Sequence, residues 1–217
     1  MMDDLTMDEL RLDLAPLVAE SAVFDGWSDA AVTAAAEIAG VDPAAARFAF
    51  QNRPMTMIAA WIGSIDRAMA QDLPAERIGN LPIRERIRTL VQFRLDALAG
   101  KEEALRRALI EMARPRNLAE TARLSWRSAD RMWRLAGDVA TDYNHYTKRA
   151  TLAAIYAATL AAYAEDQSED HAETRAFLDR RIENVMQFEK AKARVMKPRD
   201  ETFSVMRLLG RLRYPAS

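Results

Sequence analysis

The chain reads as all-α, a bundle of nine to ten helices, and three observations predict it. Ala, Leu, Arg and Glu are plentiful, while 7 Gly and 8 Pro are all that interrupt 217 residues, a bias toward strong helix formers. Apolar residues recur at three- and four-residue spacing in one segment after another, which is the period of a one-sided helix. No stretch alternates apolar and polar residues as a half-buried strand does, and no internal repeat appears. Hydrophobic residues make up 50% of the chain and charged ones 29%, so it can bury a real core and is not a disordered segment.

Each helix follows from its punctuation. The first spans residues 6–24, with Leu10, Leu14, Leu17 and Val18 on one face. Pro16 inside it allows a kink or a late start, and Gly26 and Trp27 end it. Ser28 and Asp29 cap a second helix over 29–39, and Gly40 and Val41 turn the chain. Asp42 caps a short third helix over 44–50, with Pro43 at the first position, where its missing N–H costs little. A fourth spans 55–70 with Ile58, Trp61, Ile62, Ile65 and Met69 at helical spacing. Pro74, Gly79 and Pro82 mark a loop. The fifth spans 82–99, its Arg84, Arg86, Arg88 and Arg94 assigned mostly to a solvated face. Gly100 and Pro115 bound a sixth helix over 101–113, and a seventh covers 117–136.

The eighth helix, centred on 146–163, is Ala-rich, uninterrupted by Gly or Pro and poor in charge after Arg149. A helix apolar on most sides is expected in a core, in a subunit interface or against a ligand. Gly137 stops the helix before it, and Asp138, Thr141 and Asp142 are each able to cap its N-terminus. The ninth spans 170–196. The eighth and ninth are long, adjacent and apolar, which suits a two-fold four-helix interface and hence a homodimer. The domain boundaries read as 1–53, 54–196 and 197–217.

The first three helices have helix-turn-helix spacing and resemble the N-terminal domain of TetR-type regulators. A ligand-responsive transcription regulator is therefore the alternative function. The charge argues against it. Residues 1–50 carry ten acids against Arg11 and Arg47, and a recognition helix draws its affinity from Lys and Arg on phosphates. The third helix offers only Arg47 and no Ser, Asn, Gln or Lys to read bases, so no nucleic-acid partner is expected.

The other end is the reverse. Residues 188–217 carry eight bases against three acids. Residues 201–214, ETFSVMRLLGRLRY, place Phe203, Met206, Leu208, Leu209 and Leu212 on a broad apolar face, with Arg207 and Arg211 beside it. A basic amphipathic helix after a Lys-Pro-Arg linker reads as a contact with an anionic membrane surface. No window approaches the length of a spanning helix. The acidic start lacks the pattern of a secretion or mitochondrial targeting segment, so the expected location is the cytoplasm and the inner face of a bacterial membrane.

Little in the chain points to catalysis. Cysteine is absent, which excludes disulfides and thiolate chemistry. His145 and His171 are the two histidines, and Asp142-x-x-His145 stands alone, whereas a di-iron bundle needs two Glu-x-x-His motifs and further carboxylates. No phosphate loop, nucleophile elbow or zinc-protease motif is present. The expectation is a binding protein with no cofactor and no metal.

One stretch is specific as a string. AGD at 136–138, TDYN at 141–144, YTKRA at 146–150, LAAIY at 152–156, DQS at 166–168 and FLDRRI at 177–182 resemble the coenzyme Q protein nine family. The resemblance implies a TetR-like fold with a degenerate helix-turn-helix and a C-terminal amphipathic membrane helix. It implies binding of isoprenoid quinone or phospholipid and presentation to the demethoxyubiquinone hydroxylase of ubiquinone synthesis. Carried over by position, it places the partner patch at Met132, Asp142, His145, Tyr146 and Arg149. Many relatives have tryptophan where this chain has His145, which removes an interface anchor. Tyr146 remains beside it. An apolar tail needs an apolar cavity. Small residues at 150, 153, 154, 157, 158, 161 and 162 leave room for one, and Trp133, Ile155, Tyr156, Leu160, Met186 and Phe188 are the candidate lining.

Overall fold

A computed structural model describes residues 6–139 and 143–196, with side chains described except at 143, 186 and 188–196. Among the described residues, ten α-helices follow in order: α1 Met7–Asp25, α2 Asp29–Ala39, α3 Pro43–Phe50, α4 Pro54–Asp72, α5 Ala75–Ile78, α6 Ile83–Asp96, α7 Glu102–Met112, α8 Leu118–Leu135, α9 Tyr143–Glu165 and α10 Ala172–Met196. Among the described residues there is no strand. The chain up to Ile182 forms one compact unit and a second begins at Glu183; within the second, Gln187 donates to Glu183 one turn earlier at 3.3 Å.

Local chemistry sets the boundaries. Thr6 and Glu9 cap α1 reciprocally, a box that satisfies two free N–H groups. Pro16 lies inside α1, which runs unbroken from Met7 to Asp25. Its ring leaves the Leu12 carbonyl without the usual helical donor, and Arg67 of α4 donates to that oxygen at 3.3 Å while pairing with Asp13 at 2.6 Å. Gly40 and Gly137 end α2 and α8 in left-handed geometry, with Val41 N–H reaching Ala36 O and Asp138 N–H reaching Trp133 O, both at 2.9 Å. These are Schellman closures. The loop expected between 74 and 82 contains the single-turn α5.

The N-terminal three helices share their core with the rest of this unit. Leu14, Val18, Ala35 and Phe50 are fully buried in the same cluster as Met57, Leu90 and Met132. Trp27 joins them to α7, donating to Ala104 O at 3.0 Å with its ring 5.3 Å from that of Trp61. The Ala-rich α9 is half-buried rather than enclosed. Leu152, Tyr156, Thr159 and Tyr163 face inward, while Ala150, Ala154, Ala157, Ala158 and Ala161 are exposed.

Asp166 organises the start of α10. Its carboxylate accepts from the backbone N–H and hydroxyl of Ser168 and from those of Thr174. Desolvation opposes its charge, but these donors together outweigh it and hold the carboxyl well below the usual range.

Candidate functional site

The arrangement best suited to an apolar ligand is a cavity of about 210 Å³ walled almost wholly by apolar side chains of α4, α7, α8 and α9, with Arg94 from α6. Trp61 and Ile65 come from α4, Leu105 and Met112 from α7, Leu124 and Ser128 from α8. Of the sequence candidates, Tyr156 and Leu160 line it. Trp133 and Ile155 do not: both pack partly buried against the core, and the Trp133 indole donates to Lys148 O at 3.0 Å. Met186 and Phe188 have side chains outside the described residues. Of the small residues on α9, only Ala157 reaches the wall.

The wall carries one charged group, and it is not on a solvated face. Arg94 is 1% exposed. It pairs with Asp66 of α4, donates to Ser128 Oγ at 3.2 Å and lies 4.9 Å from the centre of the Tyr156 ring. Burial opposes its charge, but Tyr156 and Asp66 more than offset that and its pKa is raised. Periodicity held the signal for this residue. Ile87, Leu90, Val91, Arg94 and Leu98 form one inward stripe, as Ile58, Ile65, Asp66 and Met69 do on α4. A charge on an apolar stripe is an expensive placement unless it is paired.

A second arrangement sits where α8 turns into α9. Arg149 is 2% exposed and clamps the turn from below. It bonds Asp130 at 2.6 Å, Asp138 at 3.0 Å and the His145 carbonyl at 3.1 Å. Lys148 pairs with the other Asp138 oxygen at 2.7 Å and lies 5.3 Å from the Trp133 ring centre. Asp138 is therefore part of this ion network. Thr141 and Asp142 lie outside the described residues.

Above the clamp, Tyr146 is 62% exposed. His145 meets it edge-on at 5.1 Å, and Trp126 of α8 lies 6.0 Å from Tyr146 and 6.4 Å from His145. Sequence reasoning missed Trp126, which is nineteen positions from His145 and reaches it only through the α8–α9 hairpin. Met132 is fully buried. Two of the carried-over patch residues, Met132 and Arg149, thus lie beneath the surface, while His145 and Tyr146 form it. The membrane-contact candidates Phe203, Met206, Arg207, Leu208, Leu209, Arg211 and Leu212 lie outside the described residues. Among those described, no helix is long and apolar enough to cross a membrane, and no cluster of side chains has metal-ligand geometry.

The architecture is that of a TetR-type helical bundle. It matches the crystal structure of a TetR transcriptional regulator from Nitrosomonas europaea with a TM-score of 0.60, covering 83% of this chain and 98% of that one at 21% identity. In sequence the chain is related to the COQ9 proteins. The COQ9 family model matches residues 118–189, the α8–α9 hairpin and most of α10. The mitochondrial ubiquinone biosynthesis protein COQ9 of Homo sapiens is 32% identical over 168 residues, 74% of this chain and 52% of that protein. That of Rattus norvegicus is 31% identical over 168 residues, 74% of this chain and 54% of that protein. The chain spans about half the length of the curated relatives it matches.

Proposed function

We propose that this protein is a non-catalytic accessory factor of ubiquinone biosynthesis that holds an isoprenoid quinone intermediate in the α4–α9 cavity. It presents that intermediate to a demethoxyubiquinone hydroxylase at a membrane surface. The observation that carries the reading is the cavity itself: an apolar space walled by five helices, in a chain related to COQ9. Transfer of apolar surface out of water drives such binding. The charged group in its wall is Arg94, paired with Asp66 behind it, which suits orientation of a ligand.

The aromatic surface of Trp126, His145 and Tyr146 is the proposed docking face for the hydroxylase. The exposed Tyr146, backed by the half-buried Trp126, supplies large, rigid contact area, and Arg149 and Met132 support it from below. The basic apolar pattern of residues 201–214 is the proposed membrane contact.

The test is purification without detergent, extraction with organic solvent and mass spectrometry of what is released. Isoprenoid quinones or their precursors, near one per chain or per dimer, are expected. Bulk phospholipid alone would leave the membrane role without the quinone role, and absence of lipid would remove the carrier reading. Removal of residues 203–214 is expected to abolish liposome binding while helix content is retained; unchanged binding would remove the membrane assignment.

A further inference from the structure

The polar end of the cavity has a donor to spare. Arg94 uses Nη1 on Asp66 and Nη2 on Ser128, but its buried Nε has no hydrogen-bond partner. Buried N–H groups are rarely left unmade, because the lost hydration is not repaid. The guanidinium lines the cavity, and its other contacts hold it in place. A fixed cationic donor on the wall of an apolar cavity is the pattern of a ligand-orienting group.

The charge balance narrows what the donor takes. Asp66 already neutralises Arg94, and both are buried. A phosphate entering here would set a second anion against one shared cation, out of water, at a large desolvation cost. A neutral oxygen acceptor adds a charge-assisted hydrogen bond and no new charge. Volume narrows it further. About 210 Å³ is below the ~300–1,000 Å³ of pockets that enclose a whole drug-sized ligand, so the cavity takes a ring and a short part of a tail. The wall residues Leu118, 53% exposed, and Ala157, also exposed, mark where the remainder leaves.

We propose that Arg94 is the head-group residue of this cavity, its Nε donating to a carbonyl or ether oxygen of a neutral ring. The site thereby prefers an oxygenated quinone-type ring over both a bare hydrocarbon ring and an anionic headgroup. This rests on the lipid-binding reading above and deepens it.

The test uses three probes with one tail: a pentyl-substituted dimethoxybenzoquinone, pentylbenzene and pentyl phosphate, each titrated calorimetrically into the full chain. The quinone is expected to bind at least about tenfold tighter than the other two, as one hydrogen bond to a charged group implies. Infrared spectroscopy is expected to place the bound quinone carbonyl stretch at lower frequency than in an apolar solvent. Arg94→Lys keeps a cation beside Asp66 but has nothing at the Nε position; it is expected to erase the preference and the infrared shift while pentylbenzene still binds. Should that variant fail to fold, Arg94→Met combined with Asp66→Leu removes the pair together and leaves no orphan charge, with the same expectation. Equal binding of quinone and pentylbenzene by the unaltered chain would overturn the head-group role and leave the carrier reading standing. Tightest binding of pentyl phosphate would overturn it in favour of an anionic ligand. Failure of all three to bind would overturn both readings.

Discussion

Arg149 illustrates how one side chain can matter to a surface it does not reach. It is buried between two carboxylates, Asp130 and Asp138, which come from α8 and the turn after it. Truncation removes the buried cation they share and leaves Asp138 with Lys148 alone and Asp130 with the exposed Arg134. Breaking a buried pair from one side costs about 3–5 kcal/mol, an upper bound where such cations remain. Arg149→Ala is expected to lose stability on that scale in urea titration. The exposed pair Arg11–Asp8 is worth about 0–1 kcal/mol, so Asp8→Ala should barely register beside it. Asp166 makes a different residue-scale case, set by pH. Desolvation pushes its carboxyl up, but the hydrogen bonds from Ser168 and Thr174 together outweigh that and hold it below the ordinary value. Such a group adds stability above its unfolded value, about 3.9, and loses it as pH falls through the folded value. Asp166→Asn is therefore expected to unfold more easily than the parent chain at neutral pH. The gap should close on acidification below about pH 4, measured by denaturant midpoints across that range.

At the scale of the element, the α8–α9 hairpin depends on its closure. Gly137 has φ 87°, a region where an L side chain costs roughly 1–2 kcal/mol. A Cβ there would also sit 3.1 Å from Arg86 Nη1, the group that bonds the Ala136 carbonyl at 2.8 Å. Gly40 closes α2 with φ 68° and nothing within 4 Å of an added Cβ. Gly40→Ala is thus expected to cost about the strain alone, near 1 kcal/mol, and Gly137→Ala more, because it also disturbs Arg86. Equal losses in thermal unfolding would mean that Arg86 yields freely. The same local rules explain how much of the fold was legible. Ser28, Gly40, Asp42 and Pro43 each act on the backbone within a few residues, so α2 was placed to its ends and α3 to within one residue. Arg94 alone among the named arginines of α6 was misplaced, for a related reason: charge alone suggested a solvated face, while the i, i+3, i+7 register put it inward.

At the scale of the molecule, the cavity was the least legible part. Its walls come from five helices spread over roughly a hundred residues, and periodicity gives the inward face of each helix but not which faces meet. Tyr156 and Leu160 were found because they share the inward face of α9; Trp61, Leu105 and Ser128 had no local mark to separate them from ordinary core. The fold likewise leaves its function open, since a TetR-type bundle serves regulators and the proposed carrier alike. Electrostatics separates the two. The shape of the N-terminal module is retained, yet residues 1–50 hold ten acids and two bases. The exposed side of α3 presents Arg47, engaged with Thr33 Oγ1 at 3.4 Å, beside Phe48, which is 72% exposed. Duplex binding at low salt depends on neutralising several phosphates at once, and one arginine on an acidic module falls far short. No retardation of duplex DNA is expected in a mobility-shift titration, even at about 50 mM salt, where non-specific binding is strongest. A retarded band that disappears as salt is raised would instead require basic side chains converging on phosphate, and would return the regulator reading to first place.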